Sequence, residues 1–212
     1  MKKVLLLLAD GFEDIEMVAS VDLWRRGQVH VDLVSIGEIE VKTGSGSRML
    51  ADIKIDDVNE VDYDLLFLPG GGGVKALDQS DKVRNMITAF MKKEKYVSAI
   101  CAAPLILGKM GILDNRVFTC YPSFEKFAPE GVYKTIGVIQ DGTVITGRGV
   151  GYVFDFALYV LEVLQGKEIR NQVEIPDAKK PFAGHGMPEN SLKVKSEFII
   201  TTNQNNLFET EE

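Results

Sequence analysis

Two periodicities alternate along this chain. Short apolar runs at residues 4–8, 29–36, 64–68 and 96–100 predict strands, and the continuous ones read as buried on both faces, as in a parallel sheet. Between them, apolar positions recur at helical spacing. Ile15, Val18, Val21 and Trp24 mark one helix ending at Gly27; Val83, Met86, Ile87, Phe90 and Met91 mark another over residues 80–93. A third follows residue 100, where Pro104 suits a first helical turn and Gly111 stops the run after Leu105, Ile106, Leu107 and Met110. Residues 38–55 read as a short hairpin excursion that carries Arg48, and residues 116–120 as a further strand. Asp141-Gly142 joins strands at 133–139 and 143–146, and a long helix over 152–164 and a short one over 167–173 complete the pattern. Strand and helix in alternation predict an α/β fold, an open and mostly parallel sheet with helices on both faces.

Beyond Pro176 the periodicity weakens, and only residues 197–202 resemble a strand. The expected division is an α/β domain over 1–176 and a C-terminal appendage over 177–212. A net charge of −7 argues against a general nucleic-acid binder. No apolar run approaches the ~18 residues that span a bilayer. The N-terminal apolar run is short and acidic residues follow it at once, so it reads as a first strand rather than a signal peptide. The expectation is a cytoplasmic protein with no membrane partner. Two cysteines make no secreted disulfide framework, and no metal-ligand spacing occurs.

Candidate chemistry gathers where strands end. In open α/β sheets the site lies beyond the carboxyl ends of the strands. Three features fall there: the turn after the first strand with Glu13, Asp14 and Glu16, the run Pro69-Gly70-Gly71-Gly72-Gly73, and Cys101. The acidic group complements a helix dipole, which is reason enough for its presence. The glycines match neither a phosphate-binding loop nor a dinucleotide fingerprint; they free backbone N–H groups for close approach. Cys101 sits at a strand-to-helix turn, where a helix N-terminus favours thiolate; the alternative is an inert core cysteine. Convergence of the three features favours the reactive thiol.

The segments Gly11-Phe12-Glu13-Asp14-Ile15-Glu16, Leu68-Pro69-Gly70-Gly71, Ala99-Ile100-Cys101-Ala102-Ala103-Pro104 and Gly147-Arg148-Gly149 together resemble the ThiJ/PfpI superfamily, most of all its Parkinsonism-associated deglycase branch. The resemblance runs in order from residue 3 to about residue 175. It implies a flavodoxin-like fold, a homodimer, and cofactor-free chemistry on a small carbonyl substrate. Cys101 would be the nucleophile and Glu16 the acid bonded to it. Gly71 and Ala102 would bind an oxyanion beside Gly70, and Arg48 would stand near the pocket. Many members carry His where this chain has Tyr121, and neither His30 nor His185 fills that place. A peptidase that must protonate an amine leaving group is therefore disfavoured. A glyoxalase or deglycase acting on α-oxoaldehydes or their adducts fits a thiol and a carboxyl alone; a redox sensor or chaperone with an oxidisable Cys101 is the alternative. A like-charged thiolate and carboxylate must share a proton. Cys120 is either a core cysteine or a resolving thiol.

Overall fold

The computed structural model describes residues 1–174 and 191–194. In chain order the elements are β1 (Lys3–Leu8), α1 (Asp14–Arg26), β2 (His30–Ser35), β3 (Glu40–Lys42), β4 (Arg48–Leu50), β5 (Ile53–Lys54) and β6 (Leu65–Leu68). Then come α2 (Val74–Gln79), α3 (Asp81–Lys92), β7 (Tyr96–Ile100), α4 (Pro104–Lys109), β8 (Val117–Phe118) and β9 (Val132–Tyr133). The last are β10 (Val138–Asp141), β11 (Val144–Gly147), α5 (Val153–Gln165), α6 (Lys167–Glu174) and β12 (Ser191–Val194). An eight-stranded sheet runs β12-β10-β11-β7-β6-β1-β2-β5, with every pairing parallel except β10 with β11.

The strand period of two divides the core between the two faces of this sheet. On β1, Leu5 and Leu7 join Leu66, Leu68, Val97, Phe90 and Ile106 on the side covered by α2, α3 and α4. Val4, Leu6 and Leu8 join Leu65, Phe67, Trp24, Phe156 and Leu161 on the side covered by α1 and α5. Both faces are dry, which is why these strands are apolar without alternation. Trp24 locks α1 to α5: its Nε1–H donates to the Ala157 carbonyl at 2.8 Å, and its ring meets Phe67 edge-on at 5.1 Å. Among the described residues no helix is long and apolar enough to cross a membrane.

Four elements differ from the sequence reading, and the first is the strand expected over 133–139, which divides into β9 and β10 in different sheets. The helix α2 directly follows the glycine run and is too short to register as a periodicity. The strand expected over 116–120 shrinks to Val117–Phe118, paired with β9 outside the main sheet. Side chains take over its bonding: the Val117 N–H donates to Asp141 Oδ2 at 2.8 Å and the Thr119 N–H to Thr146 Oγ1 at 3.0 Å. Part of the 177–212 segment, Ser191–Val194, adds a parallel strand beside β10 at the sheet edge. The strand expected over 197–202 lies outside the described residues, as does His185. His30 is a structural residue, its Nε2 2.7 Å from Asp32 Oδ1.

Candidate active site

The neighbouring strands β1, β6 and β7 deliver three loops to one place at their carboxyl ends. The loop after β1 is pinned from both sides. The Gly11 N–H donates to the Lys42 carbonyl at 2.7 Å, and the Glu13 N–H donates to the Gly70 carbonyl at 3.1 Å. The hairpin β3–β4 closes over it, with Ser45 Oγ donating to Asp14 Oδ1 at 2.7 Å. The acidic cluster thus divides its work. Asp14 clips the hairpin, while hydrogen bonds from Thr43 and Ser45 hold its carboxyl below the usual range. Glu16, in the first turn of α1 on its inner side, is fully buried.

Glu16 faces the glycine loop and the thiol. Its Oε2 accepts the Gly70 N–H at 2.7 Å, and Oε1 is buried with no hydrogen-bond partner among the described residues. Gly70 is glycine because two catalytic candidates occupy the space of a side chain. A β-carbon there would stand 2.6 Å from Cys101 Cβ, 2.7 Å from Glu16 Oε2 and 3.1 Å from Cys101 Sγ. Cys101 itself has φ of 63° in the left-handed region, which non-glycine residues enter at a cost. Two bonds hold it there: its N–H donates to the Gly147 carbonyl at 2.9 Å, and its carbonyl accepts the Tyr121 N–H at 2.8 Å. The thiol is partly accessible, whereas Cys120 is buried in the core.

Electrostatics couple the pair. Burial pushes the Glu16 carboxyl up to about 7; the Gly70 N–H and a hydrogen bond with Cys101 oppose it, and the charge of Glu13 adds to it. Burial also pushes the Cys101 thiol up to about 12, followed by the Glu16 charge and hydrogen bond, with the Ala102 and Gly71 N–H groups pulling it down. Desolvation thus works against the thiolate that the turn and its N–H groups favour. The helix α4 has only six residues, and burial is the largest influence on the thiol. The Glu16 contributions oppose the thiolate only while that carboxyl is ionised. With the proton on Glu16 the repulsion vanishes, and the carboxyl can donate to sulfur. One proton therefore serves two atoms, and the pair titrates together.

The structure thus brings together Cys101, Glu16, Gly70, Gly71 and Ala102. Arg48 stands apart: it is exposed at the hairpin, 2.6 Å from Glu40 Oε1, and makes no hydrogen bond to this group among the described residues. Cys120 stands apart as well. Burial raises its thiol to about 12, and the charges acting on it are those of Glu125 and Arg148, not Cys101 or Glu16. Gly149 and Tyr121, which the sequence shows only as part of a family-like segment and as a residue in place of histidine, are neighbours of the thiol. A β-carbon on Gly149 would lie 3.8 Å from Cys101 Sγ. The signal was present: the run 147–151 follows β11, which pairs with the Cys101 strand, but it reads equally well as a helix start. Among the described residues no three His, Cys, Asp or Glu side chains are grouped to hold a metal ion.

A model of the DJ-1/PfpI family matches residues 2–163, with this thiol, carboxyl and glycine loop inside the match. The chain belongs to the DJ-1/PfpI family. It is 37% identical over 178 residues to protein DJ-1alpha of Drosophila melanogaster, covering 81% of this chain and 82% of that protein. It is 31% identical over 175 residues to a Caenorhabditis elegans protein named glutathione-independent glyoxalase DJR-1.2, covering 82% and 94% of the two. The crystal structure of Drosophila melanogaster DJ-1beta superposes with a TM-score of 0.78 at 33% identity, covering 81% of this chain and 95% of that one. The mostly parallel sheet flanked by helices is the flavodoxin-like fold of these neighbours.

Proposed function

We propose that this chain is a cofactor-free, cysteine-dependent enzyme of the glyoxalase or deglycase type, acting on α-oxoaldehydes or their adducts. The observation that carries this reading is the pairing of a partly accessible thiol with a fully buried carboxyl raised to about 7. A carboxyl tuned to that range can both give and take a proton at neutral pH. The name of the Caenorhabditis elegans relative supports the same chemistry.

The steps balance with water as the only other reactant. Cys101 sulfur adds to the aldehyde carbon, and the Glu16 proton goes to the carbonyl oxygen, giving a hemithioacetal. The N–H groups of Gly71 and Ala102, which pull the thiol down, would take the developing oxyanion. Glu16 carboxylate then removes the hydrogen on that carbon to give an enediolate and returns the proton to the adjacent carbon, while the hydroxyl proton passes to the adjacent oxygen as the thioester carbonyl forms. The product is a thioester of a 2-hydroxy acid. Water attacks it, the C–S bond breaks, and the acid and the free thiol are released.

The deciding experiment is lactate formation from methylglyoxal by metal-free purified protein, beside Cys101→Ser. Steady turnover is expected for the wild type and none above background for the variant, because a serine hydroxyl without a base is a poor nucleophile. Equal rates for the two proteins would end this reading. Oxidation of Cys101 without turnover would instead favour a redox sensor.

We also propose a homodimer built on α1 and the hairpin. Ile15 and Val18 on α1 and Leu50 on β4 are 50%, 46% and 68% exposed, apolar surface that a second copy would cover. Light scattering at micromolar concentration is expected to give the mass of two chains rather than the 23.5 kDa of one. A monomer there would also remove any route by which Arg48 reaches a neighbour's site.

A further inference from the structure

At the mouth of the site stands an aromatic ring that the chemistry above does not use. Tyr121 is tied to the nucleophile through its backbone, its N–H donating to the Cys101 carbonyl at 2.8 Å. Gly149 lies beside both its ring and the sulfur. A β-carbon on Gly149 would lie 3.3 Å from Tyr121 Cδ2 and 3.8 Å from Cys101 Sγ. The ring and the sulfur therefore both border the space beside Gly149, and a group held at the sulfur meets the ring once the exposed tyrosine gives by a few tenths of an ångström. An exposed tyrosine is ordinary by itself. This one is braced: Phe124 meets it edge-on at 6.2 Å, and Phe127 backs Phe124 at 6.0 Å. Lys109 in turn sits over the Phe127 ring at 5.1 Å. Even so, Tyr121 is 49% exposed, so much of its ring is open to solvent at the mouth.

We propose that Tyr121 is a specificity-determining residue, whose ring packs on the substituent of a carbonyl compound held at Cys101 and selects aromatic or bulky apolar groups over methyl. As a statement about substrates, that α-oxoaldehydes with such substituents are preferred to methylglyoxal, it rests on the dicarbonyl reading above. Once the aldehyde carbon is bonded to sulfur, the adjacent carbon and its substituent lie beside Gly149 and meet the ring. A methyl group leaves most of the ring face wet. A planar aromatic group covers that face and gains the ring–ring geometry that aromatic pairs favour. Pockets of this kind discriminate by one to two orders of magnitude at most, so a preference is expected and exclusion is not.

Two ratios test the ring separately from the proposed reaction. The first compares alkylation of Cys101 by phenacyl bromide and by bromoacetone. Sulfur attacks the methylene carbon in each, the C–S bond forms, and bromide leaves, so no turnover is needed. The second compares kcat/KM for phenylglyoxal and methylglyoxal. Each is measured in the wild type, Tyr121→Ala and Tyr121→Phe, so the intrinsic reactivities of the reagents cancel. Both ratios are expected to fall about 5- to 20-fold in Tyr121→Ala, and to stay within about twofold in Tyr121→Phe, which keeps the ring. Should the alanine variant not fold, Tyr121→Leu keeps bulk against Phe124 but lacks the planar face, and a fall in both ratios is expected there too. An alkylation ratio unchanged by Tyr121→Ala overturns the role of the ring, whatever the turnover. A ratio that does respond, in a protein that turns over neither dicarbonyl, sinks the glyoxalase reading and upholds the selectivity of the ring.

Discussion

Glu16→Gln is expected to lower dicarbonyl turnover by about 10²–10⁴-fold while leaving Cys101 open to alkylation, the range that a lost general acid–base step usually spans. The two effects separate because the carboxyl has two jobs. As an acceptor, it holds the Gly70 N–H at 2.7 Å. As an acid, it moves a proton between sulfur, oxygen and carbon. Glutamine keeps the acceptor oxygen, and its amide can donate toward sulfur, so the loop and the thiol stay in place. It also removes the ionised carboxylate, whose charge and hydrogen bond oppose the thiolate. Alkylation of Cys101 by iodoacetamide at neutral pH should therefore be as fast as in the wild type or faster. Steady-state kinetics paired with mass spectrometry of the labelled protein reads both quantities. Turnover within a fewfold of the wild type would remove Glu16 from the mechanism. Lost turnover together with lost labelling would mean that the variant had disturbed the site as a whole.

Stability should carry the mark of the same proton. The Glu16 carboxyl rises from 4.5 to about 7 in the folded chain, so between those values the folded state holds a proton that the unfolded state has released. Stability from this group is complete below pH 4.5 and is lost as pH rises through about 7. The loss amounts to on the order of 3 kcal/mol, because each tenfold difference in proton affinity between the two states is worth about 1.4 kcal/mol. The window does not depend on whether oxygen or sulfur gives up the proton, because the pair releases its first proton there either way. Other carboxyls act with the opposite sign: Asp14, Glu60 and Asp64 are held low and lose their contribution as pH falls. Subtracting the curve of Glu16→Gln from that of the wild type isolates Glu16. In urea unfolding, the variant is expected to gain on the wild type steadily as pH rises from 4.5 to about 7. Parallel curves would mean that the carboxyl is not perturbed.

The parts of this molecule that were legible in its sequence are those fixed by local periodicity. The runs that became β1, β6 and β7 announced a sheet dry on both faces, and topology then placed Cys101 and the glycine loop at one edge. Local rules could not supply what arises between segments. Glu16 reads as one of three acids at a helix start, and only the close approach of the Gly70 loop makes it the buried one. Cys101 reads as a dipole-activated thiol because a sequence shows the helix but not the desolvation around it. The helix α2 and the two-residue β8 are too short to leave a pattern, and β8 is held by Asp141, which lies 24 residues from Val117. Tyr121 stood out only as a replaced histidine; its seat opposite the sulfur depends on Gly149, which comes from another loop.

The left-handed backbone of Cys101 sets an order among the changes this position can undergo. At φ of 63° a residue with a β-carbon carries a steric cost that glycine avoids, at the expense of chain entropy. The one replacement that relaxes the backbone is thus also one that discards the sulfur. Serine and alanine keep the strain and lose the nucleophile, so they forfeit function with no structural return. Where the thiol was of no use, glycine would relieve that strain at this site, against the packing that the side chain makes with both core clusters. A chain that holds cysteine there keeps the strain. The thiol is held at a steric cost as well as being useful, so the backbone at this position is set by its chemistry rather than by its comfort.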